Sequence, residues 1–337
     1  MKQLLFYISL VIFLTACSEN TGDASSSDTT TVIPSITDTL HSKNILSAND
    51  YYGSNDSYYE ALNKEGTQTI VTSETPIFED SLLLERSQLS LFVGEEITIE
   101  KSCGTITRGN WAEPVYKISY KTGEDIFYGY LSQSSIACIQ DTLKSNKIVL
   151  LSLDYNNTSD KFTGNIFLMD QSRKILSTSQ ILFDIYKEGK SPYSFYYYFS
   201  IGEIEENLGL EGIHESFYIS AGYDACGYPH ITNIFLWNDK KLLLAPETYS
   251  VSDAGVFYAN GQLYFPADSL GRPGYVVQIF EVVEQIDGPE HPENNVEYYN
   301  KDSTVILYKW NNTNYTFSKA DTVLSTSRKY SYQTSDY

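Results

Sequence analysis

Methionine is scarce in this chain, two residues in 337, and histidine is little more frequent at four. His41, His214, His230 and His291 are scattered and show no zinc-ligand spacing. No Gly-rich phosphate cradle, Gly-x-Ser-x-Gly elbow or dinucleotide fingerprint appears, so no motif supports nucleotide chemistry or serine hydrolysis, and no cofactor is expected. Positive charge is thin as well. Against 43 Asp+Glu stand 23 Lys+Arg, a net charge of −20, with no basic cluster of four or more. A surface this acidic repels a phosphate backbone, which removes nucleic acid from the partners. Carboxylates are abundant, but the sequence pairs none of them across space, so glycosidase chemistry has no support. A long stretch of period 3.6 is missing too.

Aromatic residues fill the composition instead. Twenty-nine Tyr and sixteen Phe, with abundant Ile, Val and Thr, favour strands over helices and predict an all-β chain. About 270 residues beyond a leader and its tail suggest two domains of ordinary size.

The amino terminus carries its own logic. Lys2 gives a positive start, Leu4 to Leu14 is an apolar run broken only by Ser9, and the run is too short for a stable membrane span. It ends in Leu14-Thr15-Ala16-Cys17, which resembles the lipobox of bacterial lipoproteins. The resemblance implies a signal peptide over 1–16, a diacylglycerol thioether on Cys17 and acylation of the new amino terminus. Each buried CH₂ contributes ~0.8 kcal/mol, so two or more acyl chains anchor a protein almost permanently. The expected partner is therefore a membrane, reached through lipid, in the cell envelope. Ser18 after the lipid site, rather than Asp, resembles the outer-membrane choice of such lipoproteins. An ordinary cleaved signal with an incidental cysteine is the plain alternative.

Residues 17–66 read as a flexible tether rich in Ser, Thr, Asp and Asn, with a possible short helix where Ser57-Tyr58-Tyr59-Glu60 has capping-box spacing and Gly66 is a stop. Such a tether spans roughly 30 Å. Over 67–141 short strands follow closely: Gln68 to Ser73, Leu82 to Leu91, Ile97 to Glu100, Val115 to Tyr120 and Tyr128 to Leu131, with Thr75 to Asp80 as a polar excursion. Gly94 before the Ile97-Ile99 strand, Trp111 ahead of Val115 to Tyr120, and Gly129-Tyr130-Leu131 give this segment a resemblance to bacterial SH3-like domains. It implies a small barrel on an envelope protein, with murein peptides among the family's ligands.

Residues 146–318 read as a larger antiparallel β domain and 319–337 as a polar tail. Four segments look like hairpins: Asn165 to Leu176, Ile234 to Leu244, Val256 to Phe265 around Asn260-Gly261, and Ile306 to Phe317. A propeller-like array and a two-sheet sandwich both accommodate them.

Of the cysteines, Cys103 and Cys138 each follow a barrel strand and could form a disulfide in an oxidising periplasm, with two buried thiols as the alternative. Chemistry could gather at Gly222-Tyr-Asp224-Ala-Cys226-Gly-Tyr-Pro-His230, a thiol, a carboxylate and an imidazole within one loop. Gly227 and Pro229 forbid the helix that would activate such a thiol, and a buried loop cysteine accounts for it equally. Asp154, Asn156 and Asp160 offer alternate oxygens to Ca²⁺, or simply a polar turn. Tyr193 to Phe199 is either an exposed stacking surface or core. The expectation is a non-enzymatic envelope binding or assembly protein recognising murein or another envelope protein. The alternative is an envelope hydrolase built on Cys226, His230 and Asp224.

Overall fold

Alternating apolar residues put Ile99 of one strand opposite Ile118 of the next, and with Ile97, Tyr116 and Tyr120 they form the first core. The computed structural model describes residues 64–109, 111–156, 158, 161–183, 198–204, 207–222, 226–253, 256–287 and 296–333. Cys17, the leader, the tether through residue 63 with the helix expected at Ser57–Glu60, His41, Asp160, Tyr193 to Tyr197, Asp224 and His291 lie outside the described residues. The fold is all-β, and every strand pairing among the described residues is antiparallel.

Six strands form a half-open barrel: β1 (Gln68–Ile70), β2 (Thr75–Phe78), β3 (Arg86–Leu91), β4 (Glu96–Arg108), β5 (Trp111–Thr122) and β6 (Asp125–Ser132), in the order β1-β4-β5-β6-β2-β3. Backbone bonds from Gly94 N to Val71 O and from Val71 N to Glu95 O, each 2.9 Å, carry the β1–β4 ladder on beyond Ile70. The polar excursion expected at Thr75 to Asp80 contains a strand, because Ile77 is drawn into the core at 1% exposure. Pro76 pairs with Ser90 of β3, and on its other side β2 meets β6 only through Phe78 and Tyr130. Gly129 explains the Gly-Tyr-Leu signature: a Cβ on it would stand 2.1 Å from Ile77 Cγ2.

A four-stranded sheet follows, β7 (Ile139–Thr142), β8 (Ile148–Asn156), β9 (Lys161–Met169) and β10 (Ile175–Phe183), in the order β10-β9-β8-β7. Nine more strands make the last sheet: β11 (Tyr198–Ile204), β12 (Glu215–Gly222), β13 (His230–Trp237), β14 (Leu242–Leu244), β15 (Thr248–Asp253), β16 (Phe257–Tyr264), β17 (Tyr275–Ile286), β18 (Val296–Asn311) and β19 (Thr316–Gln333). Val149, Leu151 and Leu153 of β8 pack on Phe217 and Ile219 of β12 and on Phe235 and Trp237 of β13, so these sheets make a sandwich. On the opposite face of β13, Leu236 joins Leu208, Phe265, Val276 and Trp310, as the long sheet folds back on itself. A small cluster of Ile70, Ala137, Leu150 and Met169 is shared between barrel and sandwich. Arg173 in the β9–β10 turn adds an ion pair to Glu96.

Three of the four expected hairpins form, at β9–β10, β13–β14 and β18–β19. The fourth does not. Asn260 and Gly261 lie inside β16, paired on one side with β15 and on the other with β17. Tyr249 and Phe280 from those neighbours meet across Gly261 with ring centroids 5.1 Å apart, and a side chain there would fall 3.3 Å from the Phe280 ring. Residues 319–333, expected as tail, continue β19 as an edge strand with register shifts opposite Val305/Ile306 and Leu307/Tyr308. The bridge expected between Cys103 and Cys138 is not formed. β4 runs on to Arg108, which leaves Cys103 within the strand, while the buried Cys138 thiol donates to Leu151 O at 3.1 Å.

Substituting Gly129→Ala should destabilise the protein by about 1–3 kcal/mol through overpacking against Ile77. The double variant Gly129→Ala/Ile77→Ala should lose less than the two single losses combined, as read by denaturant unfolding.

Candidate functional site

Two places bear on function, the loop before β13 and the outer rim of the barrel. At the first, Cys226 is exposed in a turn, and the Gly227 N–H donates to Ser252 O at 2.7 Å. Gly227 has φ +81°, and the Asp253 carboxylate lies beside it, 3.7 Å from where a Cβ would stand. His230 opens β13 opposite Ser250, with its ring across Gly222, whose added Cβ would come 2.8 Å from Nδ1. The chain passes from the Gly227 turn straight into β13. Of the three residues predicted for this loop, Cys226 and His230 are placed by the structure, and the carboxylate found beside the turn is Asp253.

Asp154 and Asn156 fall on the solvent face of β8, separated by the buried Tyr155. The Asn156 side-chain oxygen accepts the Thr158 N–H at 2.9 Å, which is the plain turn arrangement. Among the described residues no group of three or more His, Cys, Asp or Glu is disposed to hold a metal ion. In the aromatic run, Phe199 is core at 6% exposure.

The barrel rim is the feature that sequence reading missed. Leu82 to Leu91 was expected as one strand, yet β3 begins at Arg86 and the leucines before it form a loop closed by Asp80. Its carboxylate accepts the N–H groups of Glu85 at 2.6 Å, Leu82 at 2.7 Å and Leu84 at 3.1 Å. The Glu85 amide chiefly, against desolvation and with the Leu82 and Leu84 amides adding to it, holds the Asp80 carboxyl below the usual range. Leu83 adopts φ 56°, a left-handed conformation uncommon for leucine. The loop thereby keeps Leu82 and Leu84 in water at 65% and 76% exposure. Phe92, Ile126 and Tyr128 are also exposed on the barrel. An acidic residue heading three consecutive leucines was the available signal.

Asp80→Asn should weaken this loop and speed hydrogen exchange at the Leu82, Leu84 and Glu85 amides. In the wild type, protonation of Asp80 should do likewise only as pH falls below the ordinary carboxylate range, because its folded pKa is depressed. Thiol mapping gives a second check. Burial pushes the Cys138 thiol up to about 12, whereas Cys226 is exposed. Native protein should alkylate at Cys226 within minutes and at Cys138 only on unfolding. The raised Cys138 value should make stability fall as pH rises from the ordinary thiol value of 9.0 toward about 12. No protein-family model, curated protein or solved structure shows a significant match to this chain.

Proposed function

We propose that this chain is a lipid-anchored cell-envelope protein that binds or assembles and performs no catalysis. It is acylated at Cys17, held on a membrane by that lipid, and recognises murein or another envelope protein through its barrel and the β domain beyond it. The lipobox Leu14-Thr15-Ala16-Cys17 supports the anchor, and Ser18 favours the outer membrane. The single observation supporting recognition is the Asp80-closed loop, which keeps Leu82 and Leu84 exposed at 65% and 76%. Large apolar side chains held out this way on a soluble surface are the usual mark of a covered interface. A backbone bonded into one conformation loses little further entropy when a partner arrives.

Replacement of Cys17 by Ser should abolish the acyl mass increment and move the protein to the soluble fraction. For recognition, the full chain should co-sediment with purified murein, and Leu82→Ser/Leu84→Ser should weaken this by roughly tenfold, the factor that ~1.4 kcal/mol represents. Equal sedimentation of wild type and double variant would remove the leucines from the account. Absence of wild-type binding to murein would leave an envelope protein as the partner. Murein turnover by wild type, lost in Cys226→Ala, would favour a hydrolase acting through Cys226 and His230.

A further inference from the structure

On the outer face of the barrel one row of directly opposed residues crosses five strands. Arg86 of β3 faces Phe78 of β2, Phe78 faces Tyr130 of β6, Tyr130 faces Lys117 of β5, and Lys117 faces Lys101 of β4. Directly opposed residues share a face, and the interior positions of β5 belong to Tyr116 and Ile118, so this row looks outward. Arg86 lies over the Phe78 ring at 6.0 Å and Lys117 over the Tyr128 ring at 5.4 Å. Strands stand ~4.8 Å apart, so the row is about 19 Å long, with cations at both ends and aromatic rings between.

Its charge pattern is unusual for this chain. Net charge is −20, yet three cations line up here, and none of them has a carboxylate within ion-pair distance among the described residues. Lys101 and Lys117 are moreover like charges directly opposed on neighbouring strands, an arrangement that destabilises a sheet. Glu100, next to Lys101 in the chain, accepts the Ser119 hydroxyl. An anion laid along the row relieves the Lys101–Lys117 repulsion, and the intervening rings suit the apolar parts of a chain that carries its charges at intervals.

We propose that the row Arg86, Phe78, Tyr130, Lys117 and Lys101 is a binding site for a carboxylate-bearing peptide chain. It rests on the reading of the barrel as the recognition module and names the chemistry recognised. That peptide chain is an acidic protein segment: extended polypeptide covers the row's length, about 19 Å, in roughly six residues, and the carboxylates of murein's peptide stems are the alternative that the test separates.

The test uses the full chain and poly-L-glutamate as probe. Wild type should bind it at low salt, and binding should fall as salt is raised. Lys101→Gln/Lys117→Gln should weaken binding at least tenfold, while the remote Lys319→Gln stays within twofold. The double variant should also melt no lower than wild type, since it removes the opposed charges, and that keeps a binding loss from being a folding loss. No poly-L-glutamate binding by wild type, or an equal loss in Lys319→Gln, overturns the site. Equal binding of inorganic polyphosphate with the same variant dependence overturns the carboxylate assignment. Murein with amidated carboxylates then identifies the source. Loss of binding on amidation, matched by loss in the double variant on native murein, overturns the protein segment in favour of the stem peptides. Murein binding untouched by the double variant, with poly-L-glutamate binding lost, supports an acidic protein segment. Poly-L-glutamate binding without any murein binding supports the site and overturns murein as the ligand.

Discussion

Phe235, Leu236 and Trp237 are consecutive in β13 and buried on alternate faces, and the architecture depends on that double burial. Phe235 and Trp237 reach into the sandwich core, whereas Leu236 reaches into the core made where the long sheet folds back. An antiparallel strand ordinarily wets one face, so covering both without helices requires two further β layers. The four-stranded sheet supplies one. The β16–β18 region and the Leu208–Leu210 segment supply the other, with Trp310 Nε1 donating to Glu211 O at 3.4 Å. Each core residue in these layers therefore has a sequence-distant partner, and the long order of β strands follows from burying one central strand.

The barrel is held to that body by modest means. Ile70, Ala137, Leu150 and Met169 form a shared apolar patch, and the β9–β10 turn adds the Arg173–Glu96 pair. Most of the barrel rim consequently remains open to solvent. The Asp80 loop and the row from Arg86 to Lys101 both lie on this free part, one apolar with acidic neighbours and the other cationic with aromatic ones. Two surfaces of opposite character on one small module can fix the orientation of a partner as well as its affinity.

The class of fold was legible because Tyr, Phe, Val and Ile in alternation leave a local trace, as in Ile97/Ile99 and in the Met169-to-Ile175 turn with its Asp170 cap. What depends on distant partners was not. Asn260-Gly261 has the composition of a hairpin turn, yet the neighbouring Tyr249 and Phe280 make the glycine a mid-strand position. Cys103 and Cys138 each follow an apolar strand pattern in the sequence, yet β4 runs past its apolar core to Arg108 and takes Cys103 into the strand. Leu82 and Leu84 look like interior strand residues, and only the three amide bonds to Asp80 reveal that the backbone turns there and presents them to water. The cationic row is invisible in one dimension, since Arg86 and Lys101 become collinear only through strand register.

β19 ends the nine-stranded sheet, and its eighteen residues include Lys319, Arg328 and Lys329. An unpaired ladder of that length is a template on which other chains can extend a sheet without limit. The two register shifts put the outward amides of Thr316–Lys319 out of phase with those of the unbroken run Leu324–Gln333. A protein crowded among identical copies is thereby protected from zippering into fibrils along its most accessible margin, and contacts with neighbours are left to surfaces that side chains, rather than bare backbone, define.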